Sequence, residues 1–199
     1  IVPPLTLRGT STPILTTNLA IVGLANGKVV SLNADSGQLL WEKRIATPQG
    51  SSELQRMIDI DGDMLLQNQT LYVAGFQGNI AAIDVPTSRL RWQKKLSSYG
   101  SLDEGFGNVY VSDDVDHIHA FDLISSQSSW KQAGLDRREV TGPVTFGNYL
   151  AVADEEGYVH FMAQSDGRFV ARRKVDGKGI RSKMLARGDK LYIYEIGRA

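Results

Sequence analysis

The chain reads as an all-β fold, a β-propeller with four-stranded antiparallel blades, here about four to five blades of a larger ring. Three observations carry that reading. A segment recurs about every 40 residues, each copy is rich in β-branched and aromatic residues, and turn residues sit at fixed places inside it. GKVVSLNADSGQLLW (Gly27 to Trp41), GNIAAIDVPTSRLRW (Gly78 to Trp92) and DHIHAFDLISSQSSW (Asp116 to Trp130) each place a Trp 14 positions after the turn residue. A fourth copy, GYVHFMAQSDGRFVA (Gly157 to Ala171), keeps the spacing and loses the Trp. The turn residues lie 51, 38 and 41 positions apart, which suits a propeller blade and fits helical solenoids badly.

Within each unit the elements follow in order. An innermost strand is seeded at Ser11-Thr12-Pro13-Ile14 and at Thr141-Gly142-Pro143-Val144, where proline is tolerated because a strand's first residue needs no ladder donor. Short apolar segments form the second strand: Leu19 to Val22, Leu71 to Val73, Val109 to Val111 and Leu150 to Val152, with a fifth at Leu191 to Ile193. A tight turn such as Asn26-Gly27 leads into an alternating third strand (Ile80, Ala82, Asp84). A polar turn, Asn33 to Gly37 or Gln164 to Gly167, then leads to the fourth strand, whose Trp packs between neighbouring blades. The blade units run about 9–45, 57–96, 100–134 and 140–175, with an incomplete unit at 180–199. The chain opens on Ile1, and these units do not close a ring by themselves, so earlier blades are expected before it and unpaired edges should promote association.

Composition narrows the function. Of 199 residues, 42% are hydrophobic and 22% charged, which excludes a disordered tail. Lys+Arg and Asp+Glu both number 22, so no net positive field draws in nucleic acid. The absence of cysteine removes disulfides, thiolate metal sites and thiol nucleophiles. Apolar runs are a few residues long, short of the roughly 20 of a helical membrane span.

No nucleophile elbow, P-loop or dinucleotide fingerprint appears, so no catalytic residue and no cofactor is expected. Three histidines, His117, His119 and His160, suggest a metal, but His119 and His160 hold the same repeat position and no partner carboxylate stands out at ligand spacing; no metal is expected. Asp59-Ile60-Asp61-Gly62-Asp63 opens like a calcium loop, yet its Gly falls at position 4 and position 12 is Thr70, so the signature fails. The segment lies in Ala46 to Asp63, about ten residues longer than the other connections and the first place to look for function. It reads either as a solvated acidic loop, with a helical turn near Glu53 to Met57, or as a contact patch for a basic partner. Leu5-Thr6-Leu7-Arg8 precedes the first innermost strand and reads either as a half-buried strand or as an apolar interface anchor beside an Arg.

The A-x-D-x-x-S/T-G-x-x-x-W style of unit around Asn33 to Trp41 and Asp84 to Trp92 resembles pyrroloquinoline-quinone-type propeller repeats. More narrowly, LTLRGTSTP (Leu5 to Pro13), GSSELQRMIDID (Gly50 to Asp61) and EGYVHFMAQSDGRFVARRKVDG (Glu156 to Gly177) resemble the BamB family of outer-membrane protein assembly factors over nearly the whole chain. That resemblance implies an eight-bladed ring, of which this chain would form four to five blades, and a non-catalytic scaffold at the periplasmic face of a bacterial outer membrane, lipid-anchored through a segment outside this chain. It implies binding to the periplasmic (POTRA) domains of the central barrel subunit BamA, with unfolded outer-membrane proteins as further partners. Carried over residue by residue, the partner-binding positions are Leu5, Leu7, Arg8, Asp59 and Asp61; Gly62-Asp63 departs from the family pattern, which expects uncharged residues there. The competing readings are a quinone-dependent dehydrogenase propeller and an extracytoplasmic sensor domain.

Overall fold

The computed structural model describes residues 11–46, 59–60, 62–175 and 179–194, and these carry strands and turns with no helix among them. The helical turn expected near Glu53 to Met57 lies outside the described residues. The chain divides into two compact units, Ile1–Tyr99 and Gly100–Ala199. In the first unit one sheet holds β1 (Ile14–Leu15), β2 (Leu19–Leu24), β3 (Lys28–Asn33) and β4 (Leu39–Arg44). The next holds β5 (Leu65–Gln67), β6 (Thr70–Ala74), β7 (Asn79–Asp84) and β8 (Arg89–Lys95). The second unit begins with a sheet of β9 (Asp103–Gly105), β10 (Asn108–Ser112), β11 (Ile118–Asp122) and β12 (Ser128–Gln132). Another follows, of β13 (Val144–Phe146), β14 (Tyr149–Ala153), β15 (Tyr158–Ala163) and β16 (Phe169–Lys174), and then a pair, β17 (Leu185–Arg187) and β18 (Lys190–Tyr192). Among the described residues every strand pairing is antiparallel and every sheet follows chain order, the meander of a propeller blade.

The recurrent polar turn is a hydrogen-bonded cap. Asn33 Oδ1 accepts the Asp35 and Ser36 amides and the Ser36 hydroxyl. Asp122 Oδ1 accepts the Ile124 and Ser125 amides and the Ser125 hydroxyl, and Asp84 Oδ2 accepts the Thr87 amide and hydroxyl. A short acceptor side chain thus closes the turn locally, the reason Asx and Ser/Thr recur there. The chain then passes through one left-handed residue, Gly37, Ser88, Ser126 or Gly167 (φ 68, 55, 63 and 71), and a bulge shifts the register of all four strand pairs at the same place. In the turn before the third strand, positive φ falls on Gly27 and Gly157 as expected, but on Gln77 and Asp116 in the middle two sheets. Gly78 is required for another reason: a Cβ there would lie 2.6 Å from Ala46 Cβ.

Packing repeats with the turns. Across each sheet one row of paired residues reads Ile21, Ser31, Trp41, then Tyr72, Ala82, Trp92, then Tyr110, Ala120, Trp130. The small central residue leaves room for Tyr and Trp to meet, with ring centroids 5.9 and 5.7 Å apart. In the last full sheet the row is Ala151, Phe161, Ala171, so the aromatic ring moves to the centre where the Trp is missing. Trp92 and Trp130 are buried, whereas Trp41, expected to be equally buried, is only partly so, and its row carries Ile21 where the others carry a tyrosine.

The Trp130 indole shows how one sheet grips the next. Its Nε1–H donates to the Gln164 carbonyl (2.9 Å), and its ring lies so close to Gly167 that a Cβ there would sit 2.4 Å from it. Gln164, 2% exposed, donates through its carboxamide to the Gly147 and Tyr149 carbonyls and accepts from the Tyr110 hydroxyl (3.2 Å). The apolar core between these sheets joins Tyr110, Ile118 and Trp130 to Leu150, Val152 and Met162, and in the first unit Ile21 and Val29 meet Leu71, Val73 and Ile83.

Gly37 and Gly167 share a left-handed turn, yet nothing lies within 4 Å of a Cβ at Gly37. Gly37→Ala should therefore cost only the conformational penalty, about 1–2 kcal/mol, while Gly167→Ala adds the collision with Trp130 and costs more. Trp130→Ala should cost about 3–5 kcal/mol and Trp41→Ala less. Denaturant unfolding of the four variants checks the order.

Candidate docking surface and polar hairpins

The long connection between the first two sheets leaves and re-enters the core at fixed points. At the outgoing end Ile45 and Ala46, 2% and 1% exposed, donate their amides to the Gly27 carbonyl, while the Asn79 and Gln93 carboxamides donate to the Ile45 carbonyl at 2.7 and 3.2 Å. At the returning end the Phe76 amide donates to the Asp59 carbonyl (2.8 Å) in an isolated bridge, and Ile60 is fully buried in the first unit's core.

Ile60 packs on the backbone of Gly23, where a Cβ would lie 2.6 Å from Ile60 Cγ2 and equally close to the Ser11 hydroxyl. That hydroxyl, buried, accepts the Gly23 amide at 3.0 Å. Ser11 follows the segment holding Leu5, Leu7 and Arg8, so the described ends of both candidate connections converge on one glycine. A bare backbone at position 23 is what lets them do so.

Of the sequence-derived site residues, only Asp59 lies among the described residues; Leu5, Leu7, Arg8 and Asp61 lie outside them. Asp59 is 1% exposed, not displayed at the surface of its unit, and engages its neighbour through the main chain.

Two polar hairpins in the second unit are the other concentration of chemistry. In the fourth sheet Asp154, 0% exposed, accepts the Tyr158 amide on Oδ1 (2.9 Å); on Oδ2 it meets His160 Nε2 (2.7 Å) and the Arg138 guanidinium (2.8 Å from Nε). Burial pushes its carboxyl up, but the bonds from His160, the Tyr158 amide and Arg138 outweigh burial and hold it below the usual carboxylate value.

In the third sheet Asp113 repeats the geometry. Its Oδ1 accepts the Val115 and His117 amides, and its Oδ2 lies 3.2 Å from His117 Nδ1 and 2.8 Å from His119 Nε2. Asp113 too is held low, its hydrogen bonds outweighing burial, while burial moves His119 down against the pull of Asp113. The sequence reading found no carboxylate at ligand spacing for these histidines. Asp113 supplies one, four residues before His117, and the turn between β10 and β11 folds it back onto both rings.

The ordered four-stranded sheets, capped turns and aromatic rows define the chain as a β-propeller of the pyrroloquinoline-quinone-type repeat class. Within that class, the model of the family "outer membrane protein assembly factor BamB" matches residues 1–132, and the chain belongs to that family. It is 46% identical over 196 residues to the BamB of Pseudomonas aeruginosa, covering 98% of this chain and 52% of that protein. With the Escherichia coli (strain K12) BamB it shares 34% identity over 191 residues, covering 96% and 49%. The crystal structure of BamB from Moraxella catarrhalis superposes with a TM-score of 0.85 at 30% identity, covering 89% of this chain and 54% of that one. The chain thus spans about half the length of the curated relatives it matches.

Because the Asp154 carboxyl is held below 3.8 in the folded state, its pairing contributes fully above about pH 4 and is lost as pH falls through the folded value. Asp154→Asn should lower the melting temperature near neutral pH and flatten its decline in acid. Thermal melts from about pH 3 to 7 test this, and a variant with the wild-type acid slope would contradict it.

Proposed function

We propose that this chain is part of a non-catalytic scaffold for outer-membrane β-barrel protein assembly, and that it docks the periplasmic domains of the barrel subunit BamA. The family membership supports the assembly role. The observation that carries the docking reading is the convergence at Gly23, where Ser11, three residues past the Leu5–Arg8 segment, and Ile60, between Asp59 and Asp61, meet on β2. Leu5 and Leu7 supply the apolar anchor and Arg8 and Asp61 the charges, which fix orientation and speed association more than they add affinity. Asp59, with its buried side chain, acts by holding the foot of the connection. The scaffold works at the periplasmic face of the outer membrane, held there by a lipid anchor on the full-length protein, where unfolded outer-membrane proteins are further partners.

Binding kinetics of the intact protein with BamA periplasmic domains at two salt concentrations test this reading. Leu7→Ala should raise the dissociation rate about tenfold or more, the loss of an interface anchor, with little change in association. Asp61→Ala should reduce the salt dependence of association, and Asp59→Ala should act through lowered stability. Wild-type kinetics in both Leu7→Ala and Asp61→Ala, with folding intact, would remove this surface as the docking site.

A further inference from the structure

The third sheet's hairpin holds a constellation that assembly scaffolding does not use. Asp113, His117 and His119, at the turn between β10 and β11, each offer a ligand atom within 4.8 Å of the other two, and Asp113 Oδ2 contacts both His117 Nδ1 and His119 Nε2. We propose that these three side chains form a binding site for a single divalent transition-metal ion of the zinc class.

The donor set is two imidazoles and one carboxylate, which suits Zn²⁺ better than the all-oxygen shells of Ca²⁺ or Mg²⁺. Zinc–ligand bonds of about 2.0–2.2 Å in a tetrahedron put neighbouring donors about 3.3–3.6 Å apart. The two Asp113 contacts, at 3.2 and 2.8 Å, need only a slight outward movement to admit the ion. The carboxylate is already oriented, since its other oxygen is tied to the Val115 and His117 amides. The ring of His119 is stacked on Phe121 with centroids 5.6 Å apart and planes 11° from parallel. On the far side of His117, Nε2 lies 3.5 Å from Asp136 Oδ1, a little beyond hydrogen-bond length; closing that gap makes the carboxylate–histidine arrangement that raises a metal ligand's basicity and fixes its tautomer. The three side chains are 12–19% exposed, so an ion can enter and a water can complete the tetrahedron.

The neighbouring sheet supplies the contrast. The same turn carries Asp154 and His160 at the positions of Asp113 and His119, but Tyr158 stands where His117 does and the guanidinium of Arg138 occupies the carboxylate. Among the described residues no Arg or Lys pairs with Asp113, which instead faces a second imidazole. One segment makes both environments: Asp136 reaches the third sheet's turn and Arg138 the fourth's. The fourth sheet has its cation built in, whereas the third offers a carboxylate and two rings to one from solution.

The test is a zinc titration of the intact protein, without a histidine tag and in a chelator-cleared, non-coordinating buffer. Calorimetry gives affinity and stoichiometry, and the ring-proton NMR signals of the three histidines give location. One Zn²⁺ should bind with shifts at His117 and His119 and none at His160. His117→Asn and His119→Asn should weaken this binding by at least a hundredfold and Asp136→Asn by about 10–100-fold, with His160→Asn at wild-type affinity. Should either ligand variant fold poorly, Asp136→Asn still decides, because its carboxylate is half-exposed. Unmoved His117 and His119 signals, or wild-type affinity in both His117→Asn and Asp136→Asn, would overturn the site.

Discussion

The contact of the Trp130 indole with the Gly167 turn and the Gln164 carbonyl is the interaction on which the second unit's sheet stacking depends. A four-stranded meander satisfies its own backbone hydrogen bonds but leaves two apolar faces, and neither can be covered from within the sheet. β14 and β15 are buried along most of their length, so the adjoining sheet must be held at packing distance. Trp130 sets that distance because an indole has no freedom to shrink and glycine has no side chain to push it away. The bulge and the left-handed residue in each fourth-strand turn bring that turn's main chain flat enough to receive the ring.

Much of this was legible in the sequence because the repeat acts at short range. The Asx acceptor, the Ser/Thr two or three residues on and the Gly or Ser that follows form one closed turn, so spacing alone reveals them. The Trp positions were legible for the same reason. Their burial was not, since it is set by residues of other strands and of the neighbouring sheet, as the Gly167 and Gln164 contacts of Trp130 show. Gln164 was read only as a turn residue, yet its carboxamide straps two sheets together through Tyr110 and two carbonyls. Nothing local marks such a residue, because its partners lie 15, 17 and 54 positions off.

The candidate sites divide the same way. The long connection was visible as an excess of residues, but the meeting of its returning end with Ser11 rests on Gly23, inside a strand that reads as ordinary apolar sequence. Asp59 looked like a surface carboxylate because an Asp-Ile-Asp pattern in an extended segment places its acids on one side. The bridge to Phe76 ties the Asp59 main chain into its unit, and the Asp59 side chain is buried there. Asp113 does not stand out in the sequence as a partner of His119, because positions six apart in a strand share a face but lie about 20 Å from one another. Only a tight turn brings positions six apart together, and the identical arrangement of Asp154 with His160 shows the turn, not chance, to be responsible.

The burial gradient across each sheet sets how its amides trade protons with water. In the second sheet β6 is buried at every position and β7 at all but its ends, whereas β8 is mostly exposed; in the fourth, every residue of β16 is exposed. Hydrogen exchange at β6 and β7 therefore requires opening of the whole stacked unit, while β16 exchanges by peeling away from β15 alone. A sheet of this kind has a slow spine and a fast margin written into a single meander, and deuterium uptake resolves it strand by strand.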